Sequence, residues 1–215
     1  MRGAGTLGKR IGYGWLYNWY AVFHASGLAP DGWRVPLFDD YWWFVDQGNS
    51  IPAVRSDTNE WLPLYETGSH LIGEDQYGLT LIPGGIRNEV GEYSLIRYQC
   101  SLWILNYGGY LRSTTHNFNF PIMLQNYGCS LRCIQDKASG ETDGDTGTLT
   151  DVEGNIYKWV VIGDYRWMAE NLRTTKYRNG NTIPEITDNT AWANDTTGAR
   201  CAYNNDHYFV YPPNQ

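Results

Sequence analysis

TLTDVEGNIYKWVVIGDYRWM, residues 148–168, carries the clearest signal of fold class in this chain. Two β-forming runs, 148–151 and 156–162, flank the turn-forming triplet Glu153-Gly154-Asn155, a pattern typical of a β-hairpin. A second turn signal at Gly163-Asp164 leads into a further run of aromatic and apolar residues. The stretch therefore predicts three short strands joined by tight turns.

Short strands and turns are also expected on both sides of this stretch. Asn179-Gly180 is another turn signal, and residues 11–136 are rich in Gly and aromatic residues with little helical periodicity. The exception is 37–45, where apolar residues recur at helical spacing and two acids fall in the first turn, as the helix dipole favours. The predicted fold class is α+β, mainly β.

One segment has the composition of a linker. Residues 137–147, KASGETDGDTG, contain small, polar and acidic side chains and nothing that could anchor in a core. We place a boundary there, between residues 1–136 and residues 148–215. Since 215 residues suit one large domain or two closely joined lobes, we expect 148–215 to complete the same domain as 1–136.

Composition narrows the function classes. The chain is 18% charged and 15% aromatic, which is typical of an ordered globular protein. A net charge of -7 and the lack of any basic run of five residues argue against a nucleic-acid partner. No run of about 18 apolar residues occurs and the start lacks an apolar block, so we expect neither membrane insertion nor a signal peptide in this sequence.

Five further blocks carry a family resemblance. They are YGWLYNWYAV at 13–22, LAPDGWRVP at 28–36, LIPGGIR at 81–87, GCSLRCI at 128–134 and WMAENLRTTKY at 167–177. Together they resemble the major paralogous domain family of Fibrobacter succinogenes, a relative of C-type lectins and formylglycine-generating enzymes. The resemblance implies a C-type-lectin-like fold. Family members often carry Cys at the positions of Cys133 and Cys201, so it also implies a structural disulfide between them.

The order of these blocks departs from the family. The block resembling 148–206 normally comes first, so the resemblance implies a circularly permuted segment order, natural or engineered, with 137–147 joining the old ends. A window cut from tandem copies is the alternative. Permutation predicts that residues 206–215 lie close to residues 1–12, because it is tolerated when the termini adjoin at the surface.

The stretch between Glu92 and Asp136 contains no Asp, Glu or Lys. One interpretation is a set of buried strands in a Gly-rich core, and Trp103 is expected in the core in either case. The other is a binding surface, because Tyr, Asn, Ser and Arg supply rigid anchors and adaptable hydrogen bonds. On the second interpretation the ligand-binding residues are Arg97, Tyr98, Leu102, Ile104, Asn106, Tyr107, Tyr110, Arg112, His116, Asn117, Phe118, Asn119 and Phe120.

The family resemblance adds a source for such a surface. Related lectin-like domains serve as variable proteins of diversity-generating retroelements, and residues 96–129 match their variable segment. Randomised Asn codons cannot give Lys, Glu, Gln, Met or Trp. Gln99, Trp103, Met123 and Gln125 are therefore expected to be scaffold positions, and Cys100 and Cys129 products of variation. This predicts a display protein on a virion or cell surface that recognises a protein or a glycan.

Two alternatives stay open beside recognition by a diversified surface. One is a structural or carbohydrate-adhesion module without diversification, and the other is an enzyme of the formylglycine-generating type that uses Cys129 and Cys133. We favour a non-enzymatic role because both cysteines lie in or beside the variable segment. That segment contains no carboxylate for calcium, and the four histidines show no metal-ligand spacing, so we expect no metal and no cofactor. Glu170-Asn171 is expected to fix the fold through hydrogen bonds.

Overall fold

The computed structural model describes residues 12–41, 75, 77–105, 107–112 and 119–211. These residues are mainly β with few helices, which confirms the predicted α+β, mainly β class. The strands are β1 Leu16–Tyr17, β2 Gly84–Arg87, β3 Tyr93–Ile96, β4 Gln99–Ile104, β5 Tyr107–Arg112, β6 Ile134–Asp136, β7 Thr146–Thr150, β8 Ile156–Ile162, β9 Tyr165–Met168 and β10 Arg200–Cys201. The helices are α1 Trp19–Val22 and α2 Asn189–Asn194, the helical residues 38–41, and the 3-10 turns Tyr203–Asn205 and His207–Phe209.

An antiparallel sheet of four strands, in the order β6-β9-β8-β7, contains the predicted hairpin. Thr150 pairs with Ile156 at the closed end of β7 and β8. The Asp151 carboxylate holds this turn, because it accepts hydrogen bonds from the Glu153 N–H at 2.9 Å and the Tyr157 hydroxyl at 2.6 Å. The predicted hairpin and the third strand that follows it are both confirmed.

Residues 137–147 connect two strands of this same sheet, since β6 precedes them and β7 begins at Thr146. Most of the segment consists of turns, and its acids are hydrogen bonded. Glu141 forms an ion pair with Arg166 at 2.5 Å, and the Asp143 carboxylate accepts a hydrogen bond from the Gly163 N–H at 2.8 Å. The segment that composition predicts to be a linker is therefore attached to the turn and strand that follow β8.

The two ends of the described chain lie side by side. The Tyr13 N–H donates to the Phe209 carbonyl at 2.7 Å, and the Gly14 N–H donates to the Val210 carbonyl at 3.1 Å. Leu16 pairs with Cys201 between β1 and β10. This proximity is what a permuted segment order requires, and the order itself stays a prediction.

Strand β4 is buried on both faces. Trp103 is fully buried in the largest apolar cluster, and its indole N–H donates to the Tyr17 carbonyl at 2.6 Å. Leu102 and Ile104 alternate with Trp103 and are buried in a second cluster. A strand covered on both faces is expected to be a continuous run without charges. The core position of Trp103 is confirmed, and burial alone explains why residues 99–104 lack charge.

Buried polar side chains join the segments around this core. The Arg132 guanidinium donates to Asn171 Oδ1 at 2.7 Å and to the Thr80 carbonyl at 2.7 Å. Asn171 also donates to the Tyr13 carbonyl at 2.8 Å, and Glu170 forms an ion pair with Arg173 at 3.0 Å. Glu170 and Asn171 therefore make the fold-fixing hydrogen bonds that the sequence predicts.

The predicted helix at 37–45 is confirmed over residues 38–41, and residues 42–45 lie outside the described part. Asp40 anchors its start, because the carboxylate accepts a hydrogen bond from the Leu37 N–H at 2.6 Å. The same carboxylate forms a bidentate pair with Arg34 at 2.6 and 2.8 Å. One of the two acids in the first turn thus ties the helix to the segment before it.

The disulfide expected between Cys133 and Cys201 is wrong. All four cysteines lie in the described part of the chain, and none of them is in a disulfide. Cys133 is buried in the largest apolar cluster, whereas Cys201 is buried in a smaller cluster with Trp192. The two sulfurs pack in different clusters, and a disulfide requires them to be about 2 Å apart.

Candidate functional site

The structure separates the predicted ligand-binding residues into four groups. Leu102 and Ile104 are wrong as ligand contacts, because both side chains are buried in the core. Arg97 and Tyr98 are half-buried at the turn between β3 and β4. The third group cannot be placed by its side chains. It lies outside the described residues at Asn106, His116, Asn117 and Phe118, and is described only as backbone of β5 at Tyr107 and Arg112.

Tyr110, Asn119 and Phe120 are brought together beside the β4–β5 hairpin. Tyr110 and Asn119 exchange two backbone hydrogen bonds, of 2.9 and 3.0 Å, so the chain after the hairpin runs along β5. Both side chains are half-buried. Phe120 packs edge-on against Phe38 with the ring centroids 5.0 Å apart, which makes it a partner of the second apolar cluster.

Two exposed aliphatic side chains follow directly, and no pattern in the sequence singles them out. Ile122 is 82% exposed and Leu124 is 58% exposed, and we call this pair the apolar ridge. Leu105, at the hairpin turn, is also exposed. A backbone hydrogen bond of 3.2 Å from Gly108 to Pro121 joins the ridge segment to the hairpin close to that turn.

Met123 lies between the ridge residues and faces the protein interior. Successive side chains of an extended chain point to opposite sides, so an inward Met123 leaves Ile122 and Leu124 outward. The Met123 sulfur packs 3.8 Å from the sulfur of buried Cys129 and directly over Gly108. This contact seats the ridge on the hairpin.

The backbone after the ridge is held from several sides. The Gln125 carbonyl accepts a hydrogen bond from the Trp19 N–H at 2.9 Å, and Gln125 Oε1 accepts one from the Tyr20 hydroxyl at 2.8 Å. The Asn126 carbonyl accepts one from the Trp192 indole N–H at 2.7 Å. A segment fixed in this way loses little conformational entropy when a partner binds it.

An open cleft of about 450 Å³ adjoins the ridge. It is bounded by Tyr20 of α1, by residues 123–126, and by Ala193, Asp195 and Thr196 at the end of α2. Of these residues only Asp195 carries a charge. The ridge and the cleft share Leu124, so a partner that covers the ridge also reaches the cleft.

The thiols considered for redox chemistry are deeply buried. Burial raises the pKa values of the Cys129 and Cys133 thiols well above the ordinary value. Both side chains are therefore protonated near neutral pH, and the thiolate is the form that attacks as a nucleophile. Among the described residues, no three His, Cys, Asp or Glu side chains are grouped so that they could hold a metal ion.

No family model, no curated protein and no solved structure matches this chain. The geometry is that of a mainly β scaffold with an apolar ridge and an adjoining cleft that contains one carboxylate, Asp195. Over the described ranges, no helix has both the length and the apolar character needed to cross a membrane.

Proposed function

We propose that this protein is a recognition module that binds a protein partner through the apolar ridge, Ile122 and Leu124. The observation that carries the proposal is the exposure of two large aliphatic side chains on a backbone fixed by hydrogen bonds. Exposed apolar patches rimmed by polar groups are typical of interaction sites. The proposed contact surface includes exposed Leu105 at the hairpin turn and the half-buried Tyr110 and Asn119 beside the hairpin.

The apolar ridge favours a protein partner over a glycan. Sugar hydroxyls need several polar groups placed around them, whereas Ile122 and Leu124 can only bury apolar surface. The buried Cys129 and Cys133 thiols make the enzyme alternative less favourable for the reason given above. A glycan ligand is an outcome that the binding experiment below can reveal.

The proposal includes a C-type-lectin-like scaffold with permuted segment order and a diversified binding segment. Support for diversification comes from which residue types occupy the anchoring positions and which occupy the exposed positions of the segment. Met123 and Gln125, which randomised Asn codons cannot encode, are among the residues whose side chains anchor the segment. Ile122 and Leu124 are of types that such codons can encode, and they are exposed. Cys100 and Cys129 are both buried, and variation there would disturb the core, so we propose that diversification is confined to exposed positions.

Selection of binders from a random peptide library against the immobilised protein tests the recognition role. We expect enriched peptides that bind the wild-type protein and lose binding to the Ile122→Ser/Leu124→Ser variant. The matched control is Val152→Ser/Ile156→Ser, which removes a similarly exposed aliphatic pair on the β7–β8 hairpin. Peptides that bind both variants equally would refute the ridge as the binding surface. If no peptide but one or more glycans of a parallel array bound the protein, the partner would be a sugar and not a protein.

The gene neighbourhood tests the retroelement proposal separately. A template repeat matching codons 96–129 and a reverse transcriptase gene are expected beside this gene. Their absence would remove diversification and leave the binding role of the ridge in place.

A further inference from the structure

The cleft beside the ridge has the chemistry of a receptor for one side chain. Its walls come from three separate parts of the chain, which are α1, the segment 123–126 and the end of α2. Leu124 belongs to both the ridge and the cleft, so the two features form one continuous surface. A partner lying on the ridge would therefore place a neighbouring side chain in the cleft.

The charge of the cleft comes from Asp195. Four neutral donors fix its carboxylate, namely Asn18 Nδ2 at 2.7 Å, the Gly198 N–H at 3.0 Å, and the N–H and hydroxyl of Thr197 at 3.3 and 2.8 Å. In the described part of the chain Asp195 makes no ion pair with a cationic group. Its negative charge is therefore held in place without being neutralised.

The Glu89 backbone carbonyl accepts a hydrogen bond from Asn126 at 2.9 Å, so the backbone of residue 89 adjoins the cleft. The cation of this segment, Arg87, makes no ion pair with Asp195. Arg87 is buried, and its guanidinium is occupied by the carbonyls of Gly91 and Ile186 at 2.9 and 2.6 Å. The negative charge of Asp195 has the same sign as the net charge of -7 of the whole chain.

The apolar part of the cleft suits the stem of a long cationic side chain. Met123, Leu124 and Tyr20, which carry apolar or aromatic groups, are among the residues that line it. Lys and Arg bury their methylene groups against such surfaces while the charged end meets a carboxylate or an aromatic ring. A neutral aliphatic side chain could fill the same volume but would leave the charge of Asp195 unmatched.

We propose that this cleft receives a basic side chain, Lys or Arg, of the protein partner that the ridge binds. The proposal rests on the recognition function proposed above and adds the charge of the partner. It assigns the apolar contact to the ridge and the selection for charge to Asp195.

Backbone-amide chemical shifts during titration with capped amino acids test the cleft directly. The probes are the N-acetyl methylamides of lysine, arginine and norleucine. We expect saturable shifts at Gln125, Asn126, Ala193 and Thr196 with the two cations, and at least about fivefold weaker binding of norleucine. Equal binding of norleucine, or no saturable shift up to about 50 mM probe, would overturn the proposal.

A pair of variants at the rim separates charge from shape. Thr196 is exposed and makes no hydrogen bond in the described part of the chain, so Thr196→Lys adds a cation while the bonds to Asp195 stay intact. We expect Thr196→Lys to weaken lysine binding by about tenfold or more, and neutral Thr196→Gln to change it by less than about threefold. Equal effects of both substitutions would contradict a role for charge.

The selected peptides distinguish this proposal from the recognition function. Both proposals are supported if the selected peptides need Ile122 and Leu124 for binding and share a basic residue. That preference for a basic residue should disappear when selection uses the Thr196→Lys variant. Ridge-dependent peptides with no basic preference overturn the cleft proposal and leave the recognition function standing. The absence of ridge-dependent peptides overturns the recognition function, whatever the capped amino acids show.

Discussion

Met123 Sδ lies over Gly108 at the position that a side chain of residue 108 would occupy. A Cβ atom added at Gly108 would overlap the Met123 sulfur. The glycine is thus required for space, since the thioether of Met123 fills the place of the missing side chain. Together with the backbone hydrogen bond from Gly108 to Pro121, this contact links strand β5 to the segment that carries the exposed ridge.

Gly108→Ala is expected to destabilise the protein because the new methyl group must displace Met123. We expect a loss of about 1–3 kcal/mol in the free energy of unfolding, as is usual for overpacking, together with weaker peptide binding. Chemical denaturation measures the first effect and calorimetry the second.

Gly109→Ala is the matched control in the same strand. A Cβ at Gly109 would meet Phe120 at 3.6 Å, an ordinary van der Waals contact, so we expect a change below about 1 kcal/mol. Equal stability of the two variants would show that Met123 does not depend on the space at Gly108.

Substitutions in and beside β4 test its assignment to the core. Leu102→Ala is expected to lower the free energy of unfolding by about 2–5 kcal/mol, because Leu102 is buried. Leu105→Ala, at the exposed hairpin turn, should change it by less than about 0.5 kcal/mol. If Leu102→Ala left the free energy of unfolding unchanged, Leu102 would not be a core residue and would again be a candidate surface contact.

Thiol counting tests the correction concerning Cys133 and Cys201. Alkylation of the denatured protein without reductant is expected to modify all four cysteines, as intact mass will show. In the native protein the reaction should be slow, since burial raises the pKa of the Cys201 thiol to about 11 and that of Cys133 further. If only two cysteines were alkylated under denaturing conditions, the other two would be in a disulfide and the correction would be wrong.

The pair Asp40 and Arg34 should make stability depend on pH. Burial would raise the pKa of the Asp40 carboxyl, but hydrogen bonds from Arg34 and the Leu37 N–H outweigh it and the pKa is lowered. A lowered folded-state pKa gives stability that is present above the unfolded value of about 4 and lost as pH falls through the folded value. Asp40→Asn should therefore cost about 1–3 kcal/mol at pH 7.

The same comparison at low pH completes this test. Unfolding free energies of wild type and Asp40→Asn should converge as pH falls through the lowered folded-state pKa of the Asp40 carboxyl. Exposed Asp39 supplies the control, because Asp39→Asn should change stability by less than about 0.5 kcal/mol at either pH. A difference between wild type and Asp40→Asn that persists unchanged at low pH would exclude the ion pair as its cause.

Local chemistry explains which parts of the fold the sequence predicts. The hairpin of β7 and β8 follows from residues close in sequence, because Asp151 and Gly154 build its turn without distant partners. For residues 137–147, composition alone does not predict the contacts that hold the segment in place. Glu141 has the polar character of a linker residue, yet its side chain is only 18% exposed and pairs with Arg166, 25 positions away.

The binding surface could be predicted only in part, because absence of charge has two physical causes. In β4 it reflects burial on both faces, and Leu102 and Ile104 are core residues for that reason. The outward position of Ile122 and Leu124 depends on Met123 fitting over Gly108. That is a tertiary contact, and no periodicity within residues 119–126 encodes it.

The affinity of one selected peptide for the wild-type protein and for Ile122→Ser/Leu124→Ser tests the recognition role most directly. Calorimetric titration should be paired with the free energy of unfolding of each protein. We predict a loss of affinity of about 30-fold or more, with stability changed by less than about 1 kcal/mol and no loss in Val152→Ser/Ile156→Ser. Affinity retained within about twofold, or lost only together with stability, would contradict the ridge as the recognition surface.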